Sequence, residues 1–97
     1  MIQEANITSG IFFYDDGKLV GEMYILELGG VRQFHARNYG ASAIRTYRRA
    51  VRFLEYQGPV VSGCEESNAK TIKFLKLLGF KYWGNKDGKI IFSKEAA

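Results

Sequence analysis

Residues 41–78, ASAIRTYRRAVRFLEYQGPVVSGCEESNAKTIKFLKLL, decide the fold. Over Ala41 to Tyr56 the apolar residues Ile44, Tyr47, Val51 and Leu54 recur three and four apart. That spacing predicts a helix with one face turned to a core, and Ala43 and Ala50 extend the face. Gly58-Pro59 stops it, because proline cannot continue a helix. Pro59 to Cys64 is short, apolar and flanked by helices, as a buried strand would be. Ser67 to Leu78 predicts a second helix, with Ile72, Leu75 and Leu78 inward and Lys70, Lys73 and Lys76 outward. Gly79 then caps its C-terminal end. Helix, strand and helix in succession imply local α/β packing.

Working outward, the first third reads as strands. Ile2–Ile7 and Ile11–Tyr14 are two candidates, and Asp15-Asp16-Gly17 separates the second from Leu19–Leu28. Asp and Gly tolerate the positive φ values of tight turns, so the pair predicts a hairpin. Gly29-Gly30 ends the long strand, and Val31–Ala36 reads as its antiparallel neighbour. At the other end, Phe80–Trp83 and Lys89–Ser93 flank Asn85-Lys86-Asp87-Gly88, a second hairpin. The expected order is β-β-β-β-α-β-α-β-β. This is an α/β (α+β) protein, one domain over residues 1–97, with a mixed, mostly antiparallel sheet and two main helices.

Composition bounds the function. A chain of 97 residues holds one domain. With 46% hydrophobic and 25% charged residues it is ordinary globular material rather than disordered. Cys64 is the one cysteine and His35 the one histidine, which excludes an internal disulfide and a zinc site of Cys and His alone. No metal is expected. No apolar run approaches the roughly 20 residues of a membrane helix, and MIQEANITSG is no signal peptide. A soluble, cytoplasmic protein is the expectation. The net charge of +4 permits an acidic or phosphate-bearing partner without demanding one.

Arg37-Asn38-Tyr39-Gly40-Ala41-Ser42 lies between a predicted strand and the start of a helix. There the free N–H groups of the first helical turn point outward and the helix dipole adds positive charge. A glycine lets backbone approach a ligand closely, and an arginine pairs with phosphate oxygens. Together these are the parts of a pyrophosphate cradle. A glycine beside a helix start is more often a plain turn device.

With Asn68 to Phe80, NAKTIKFLKLLGF, this stretch resembles the GNAT superfamily of acetyl-CoA-dependent N-acyltransferases. The family's pyrophosphate loop runs Gln/Arg-x-x-Gly-x-Gly/Ala between its fourth strand and the following helix. Arg37 and Gly40 match, and Ser42 takes the last small position. The family also places an Asn at the start of the next helix and Gly-Phe eleven residues later. Asn68 and Gly79-Phe80 keep that spacing, and a terminal hairpin follows. The resemblance covers residues 10–94. It implies a truncated GNAT-like fold, acetyl-CoA as cosubstrate, an amine as acceptor, Arg37 to Ser42 on the pyrophosphate and Asn68 on the pantetheine arm.

Two departures accompany it. Family members usually carry a strand and two helices ahead of the first hairpin, roofing the acceptor site, and 97 residues leave no room for them. Many also have a tyrosine seven residues after the helix-start Asn, where it protonates the departing thiolate; here the position is Leu75. Short chains of this kind look like those encoded by bacteriophages. The resemblance therefore also implies an alternative, a non-catalytic protein that binds and modulates a host protein in the host cytoplasm or serves as a virion component.

Acyl transfer needs a base for the amine proton and donors for the oxyanion. Glu22 and Glu27 on the long strand are the candidate bases, although strand glutamates are more often simply solvated. Tyr82 and Tyr39 are candidate acids. His35 and Cys64 fall on neighbouring strands of such a sheet, so a Cys–His pair is a further expectation, weighed against a cysteine that only packs. Arg45, Arg48, Arg49 and Arg52 form a row on the first helix, offset only by Glu55. The commoner role of such a row is a solvated face; the functional ones are a CoA phosphate or an acidic protein. No nucleic-acid motif accompanies it. Without roof helices one sheet face would lie bare, so a homodimer or a heteromeric partner is expected.

Overall fold

The computed structural model describes residues 5–95, so part of the expected strand at Ile2–Ile7 lies outside the described residues. The elements are β1 (Ala5–Asp15), β2 (Lys18–Leu28), β3 (Val31–Asn38), α1 (Ala43–Glu55), β4 (Val60–Glu65), α2 (Ala69–Leu77), β5 (Lys81–Lys86) and β6 (Lys89–Lys94). One correction concerns the start. Ile7 and Ile11 belong to a single strand, not two, because Ser9 and Gly10 pair with Ile25 and Tyr24 of β2 and Thr8 alone is absorbed as an irregularity in the register between Ile7 and Ser9.

Both expected hairpins are present. Asp16 and Gly17, then Asp87 and Gly88, all take positive φ, which two-residue turns of right-handed twist require. The six strands form one sheet in the order β1-β2-β3-β4-β6-β5. Only β3 and β4 run parallel, because α1 carries the chain across between them. The protein is an α+β fold with a mostly antiparallel six-stranded sheet and two helices.

Alternation along the strands sorts the faces. Met23, Ile25, Phe34, Val60, Cys64 and Phe92 turn inward and are buried. Ala50, Phe53 and Leu54 of α1, and Leu75 and Leu78 of α2, join them in one core. The Phe34 ring lies between Phe53 and Phe80, at centroid distances of 6.2 and 5.9 Å. Both helices therefore lie on one face. The opposite face presents Phe12, Glu22, Tyr24, His35 and Arg37, and no helix among the described residues covers it.

The face of α1 departs from its expected one. Thr46, Ala50, Phe53 and Leu54 are buried, whereas Ile44 is 66% and Tyr47 36% exposed. Two small contacts explain the rotation. Ala50 lets the helix approach the sheet, and the Thr46 hydroxyl is satisfied internally by donating to the Ser42 carbonyl at 2.9 Å. Ile44 and Tyr47 are left on the flank. Arg45 leaves the arginine row: its guanidinium donates to the Tyr14 carbonyl at 3.0 Å and stands 3.7 Å from Asp15. At the far end Gln57 accepts from Arg32 at 2.8 Å and donates to Ser9 at 3.2 Å, tying the end of α1 to β3 and β1.

Candidate functional site

The parallel join is brief. Gln33 opposite Val61 is the one register pair between β3 and β4. Beyond it the strands separate, and the Ser62 hydroxyl donates to the Phe34 carbonyl at 2.9 Å in place of a ladder bond. Tyr39 N–H donates to the Val20 carbonyl at 2.8 Å, so odd-numbered β3 residues turn their backbone groups to β2 and even-numbered ones to β4. Ala36 and Asn38 consequently face the gap with no β4 residue opposite.

The gap opens into a cleft of about 670 Å³. Its lining takes residues from β3, β4, α1 and α2, among them β3 residues of both facings. Phe34, Thr46, Tyr47, Ser62, Phe74 and Leu75 line it from the helix side; His35, Arg37 and Gly63 belong to the other. Lys70 and Lys73 of α2 complete a wall with three cations and no carboxylate among the described lining residues. Such a site attracts anions and offers an apolar floor.

Arg37 to Ser42 stands at one end, as a loop from β3 into α1. Gly40 takes φ 143°, a value that favours glycine, with open space where a Cβ would stand. The Ser42 hydroxyl caps α1 by accepting from the Arg45 N–H at 3.1 Å. Asn38 organises the loop: its Oδ1 accepts from the N–H groups of Gly40 (2.8 Å) and Ala41 (2.7 Å), and its Nδ2 donates to the Ala41 carbonyl at 2.8 Å. An electronegative oxygen thus already sits on two donors of the expected cradle. The N–H groups of Ser42, Ala43 and Ile44 remain without a protein acceptor among the described residues.

Arg37 is exposed, with its charge favoured by the Tyr39 hydroxyl first, then by Tyr24 and Glu22. Tyr39 donates to Glu22 Oε1 at 2.6 Å. Next along the same face, the His35 ring stacks on Tyr24 at 5.1 Å, and its Nε2 lies 3.2 Å from Gln33 Oε1. Burial, then the cations Arg37 and Lys89, push the imidazole pKa down, so the ring is neutral at pH 7.

The other sequence candidates fall elsewhere. Asn68 is the N-cap of α2, its Oδ1 accepting from the Thr71 N–H at 3.2 Å. Glu27 stands opposite Arg32 at the far end of β2, and Glu22 is held by Tyr39. Tyr82, on the β5 edge, donates to Asn85 at 2.9 Å. None of these four lines the cleft. The expected Cys–His pair is not formed: Cys64 turns into the core, where burial raises its thiol pKa, while His35 is on the opposite face. Leu75 is 1% exposed. Ser62, Tyr47, Lys70 and Lys73 are the site residues that sequence reasoning missed. Ser62 carried a signal, a lone hydroxyl in an otherwise apolar buried strand, which needs a specific acceptor.

No helix among the described residues is long and apolar enough to cross a membrane. No protein-family model, curated protein or solved structure matches the chain.

Proposed function

We propose that the chain binds a CoA thioester in the β3–β4 cleft, on a truncated GNAT-like fold, and transfers the acyl group to an amine. The observation that carries this reading is the cleft itself: a split parallel strand pair, exposed backbone on one wall, three cations, and no carboxylate. The pantetheine arm of CoA is an extended chain with two amides, and it can pair with the free backbone groups of Ala36 as an added strand would. Arg37, Lys70 and Lys73 suit its phosphates, together with the unoccupied N–H groups at the start of α1.

The open face gives the amine its access. On that side His35 is the group with a pKa suited to accept a proton, and it takes the role first assigned to Glu22 or Glu27. The amine nitrogen attacks the thioester carbon, and its proton passes to the imidazole. The carbon–sulfur bond then breaks, and the imidazolium returns the proton to the thiolate. The step needs no separate tyrosine acid at the place of Leu75. Thiol release from acetyl-CoA in the presence of a polyamine or a lysine peptide tests it, with loss in His35→Gln expected.

One observation favours the second reading, a non-catalytic protein that keeps the ligand cleft for binding a partner. Leu75 is buried core, and Glu22, Glu27 and Tyr82 all lie off the cleft. CoA binding with no thiol release for any amine is the outcome that selects it.

A further inference from the structure

The two edges of the sheet differ. β5, at one edge, begins and ends in lysine, Lys81 and Lys86, and is irregular between Tyr82 and Gly84. Charges and bulges of this kind prevent edge-to-edge pairing. β1, at the other edge, is 11 residues long, and from Ala5 to Tyr14 it carries no charged residue. Its register irregularities fall before Ser9 and after Phe13, leaving a regular stretch between. The Tyr14 carbonyl is already taken by Arg45, which closes that stretch at its end.

The backbone groups that remain free can be assigned. Even-numbered residues of β2 turn to β3, as the Tyr39–Val20 bond shows, so Met23 and Gly21 turn to β1. Their partners Ile11 and Phe13 face inward, and Gly10 and Phe12 present N–H and C=O to solvent. Phe12 is also 63% exposed.

We infer that β1 pairs antiparallel with β1 of a second copy of this chain, joining two six-stranded sheets edge to edge. A two-fold axis at Ile11 sets the register. Gly10 then makes a hydrogen-bonded pair with Phe12 of the second copy, and the reverse pair follows by symmetry. Each Phe12 ring covers a glycine that has no side chain to compete and reaches Tyr24, the β2 neighbour of Gly10. Asp15 falls opposite Ile7, so no like charges meet. A second copy fits because the knob, Phe12, and the hollow, Gly10, lie two residues apart on one strand, as a self-complementary contact requires.

The test is sedimentation equilibrium of the full chain from low to high micromolar, with amide exchange read at both ends of the range. A dimer is expected, with exchange at Gly10 and Phe12 slowing at least tenfold as concentration rises. The Ile11 amide, bonded within the protomer, stays equally protected throughout. Phe12→Lys, at an exposed position, should sediment as a monomer with Ile11 still protected; Gly10→Lys serves if that variant does not fold. A wild-type monomer at high micromolar overturns the inference. So does a dimer in which Gly10 and Phe12 exchange freely, since it must use another surface.

Discussion

The Ser62 hydroxyl donates to the Phe34 carbonyl at 2.9 Å, at the point where β3 and β4 part. A side chain completes what the ladder leaves unmade, so the strands can diverge without abandoning a buried acceptor. The candidate cleft exists because of that substitution.

Removing the hydroxyl tests the point. Ser62 is buried, and Ser62→Ala leaves the Phe34 carbonyl without its partner. The expected loss is about 1–3 kcal/mol of stability, the usual cost of an unsatisfied buried group. Urea unfolding of the two proteins measures it, and an unchanged midpoint contradicts the assignment.

His35 should titrate below its ordinary 6.5, because burial, Arg37 and Lys89 all disfavour the imidazolium. Arg37→Ala should move it back up, and Lys89→Ala should do so by less. The sign for stability follows. The folded state holds the ring neutral, so this contribution is fully present above 6.5 and is lost as pH falls through the lowered folded value. Proton NMR of the single histidine reads the titration directly. A pKa above 6.5 contradicts the packing of His35 described here.

Asn38 holds the loop through Gly40 and Ala41. Asn38→Ala should cost roughly 1 kcal/mol, the net worth of an exchanged hydrogen bond. Asn38→Asp keeps the acceptor but adds a negative charge beside the N–H groups that we propose hold phosphate, so it should weaken CoA binding more than it weakens the fold. Paired melting and binding measurements separate the two effects.

The arginine row divides. Arg45→Ala removes the tie to Tyr14 and Asp15 and should lower stability by up to about 1 kcal/mol. Arg48→Glu with Arg52→Glu, both at exposed positions, should leave the melting temperature where it is. A double variant that melts as low as Arg45→Ala would show contacts that the present packing lacks.

Much of this architecture was legible because local chemistry fixes it. The Asp-Gly turns announce both hairpins, and the Ile72, Leu75, Leu78 spacing gives the inward face of α2. The face of α1 was legible in part: Ala50 and Leu54 are buried as their spacing predicts, whereas Thr46 and Phe53 are buried in place of Ile44 and Tyr47. The close approach allowed by Ala50 sets that rotation, and no spacing encodes it. The cleft was half legible: Arg37 to Ser42 carries a local signature, whereas Lys70, Tyr47 and Ser62 reach it through tertiary packing that no spacing encodes. The placement of Glu22 and Glu27 was not legible for a simple reason. They lie five residues apart on one strand and so on opposite faces, and neither is adjacent to β4.

Titration calorimetry of acetyl-CoA into the wild-type chain and into Arg37→Ala tests the central claim most directly. Saturable one-site binding is predicted for the wild type, weakened roughly ten- to a hundredfold in the variant, the usual worth of a hydrogen bond to a charged group. No heat of binding at millimolar acetyl-CoA, or equal affinity in the two proteins, would contradict it.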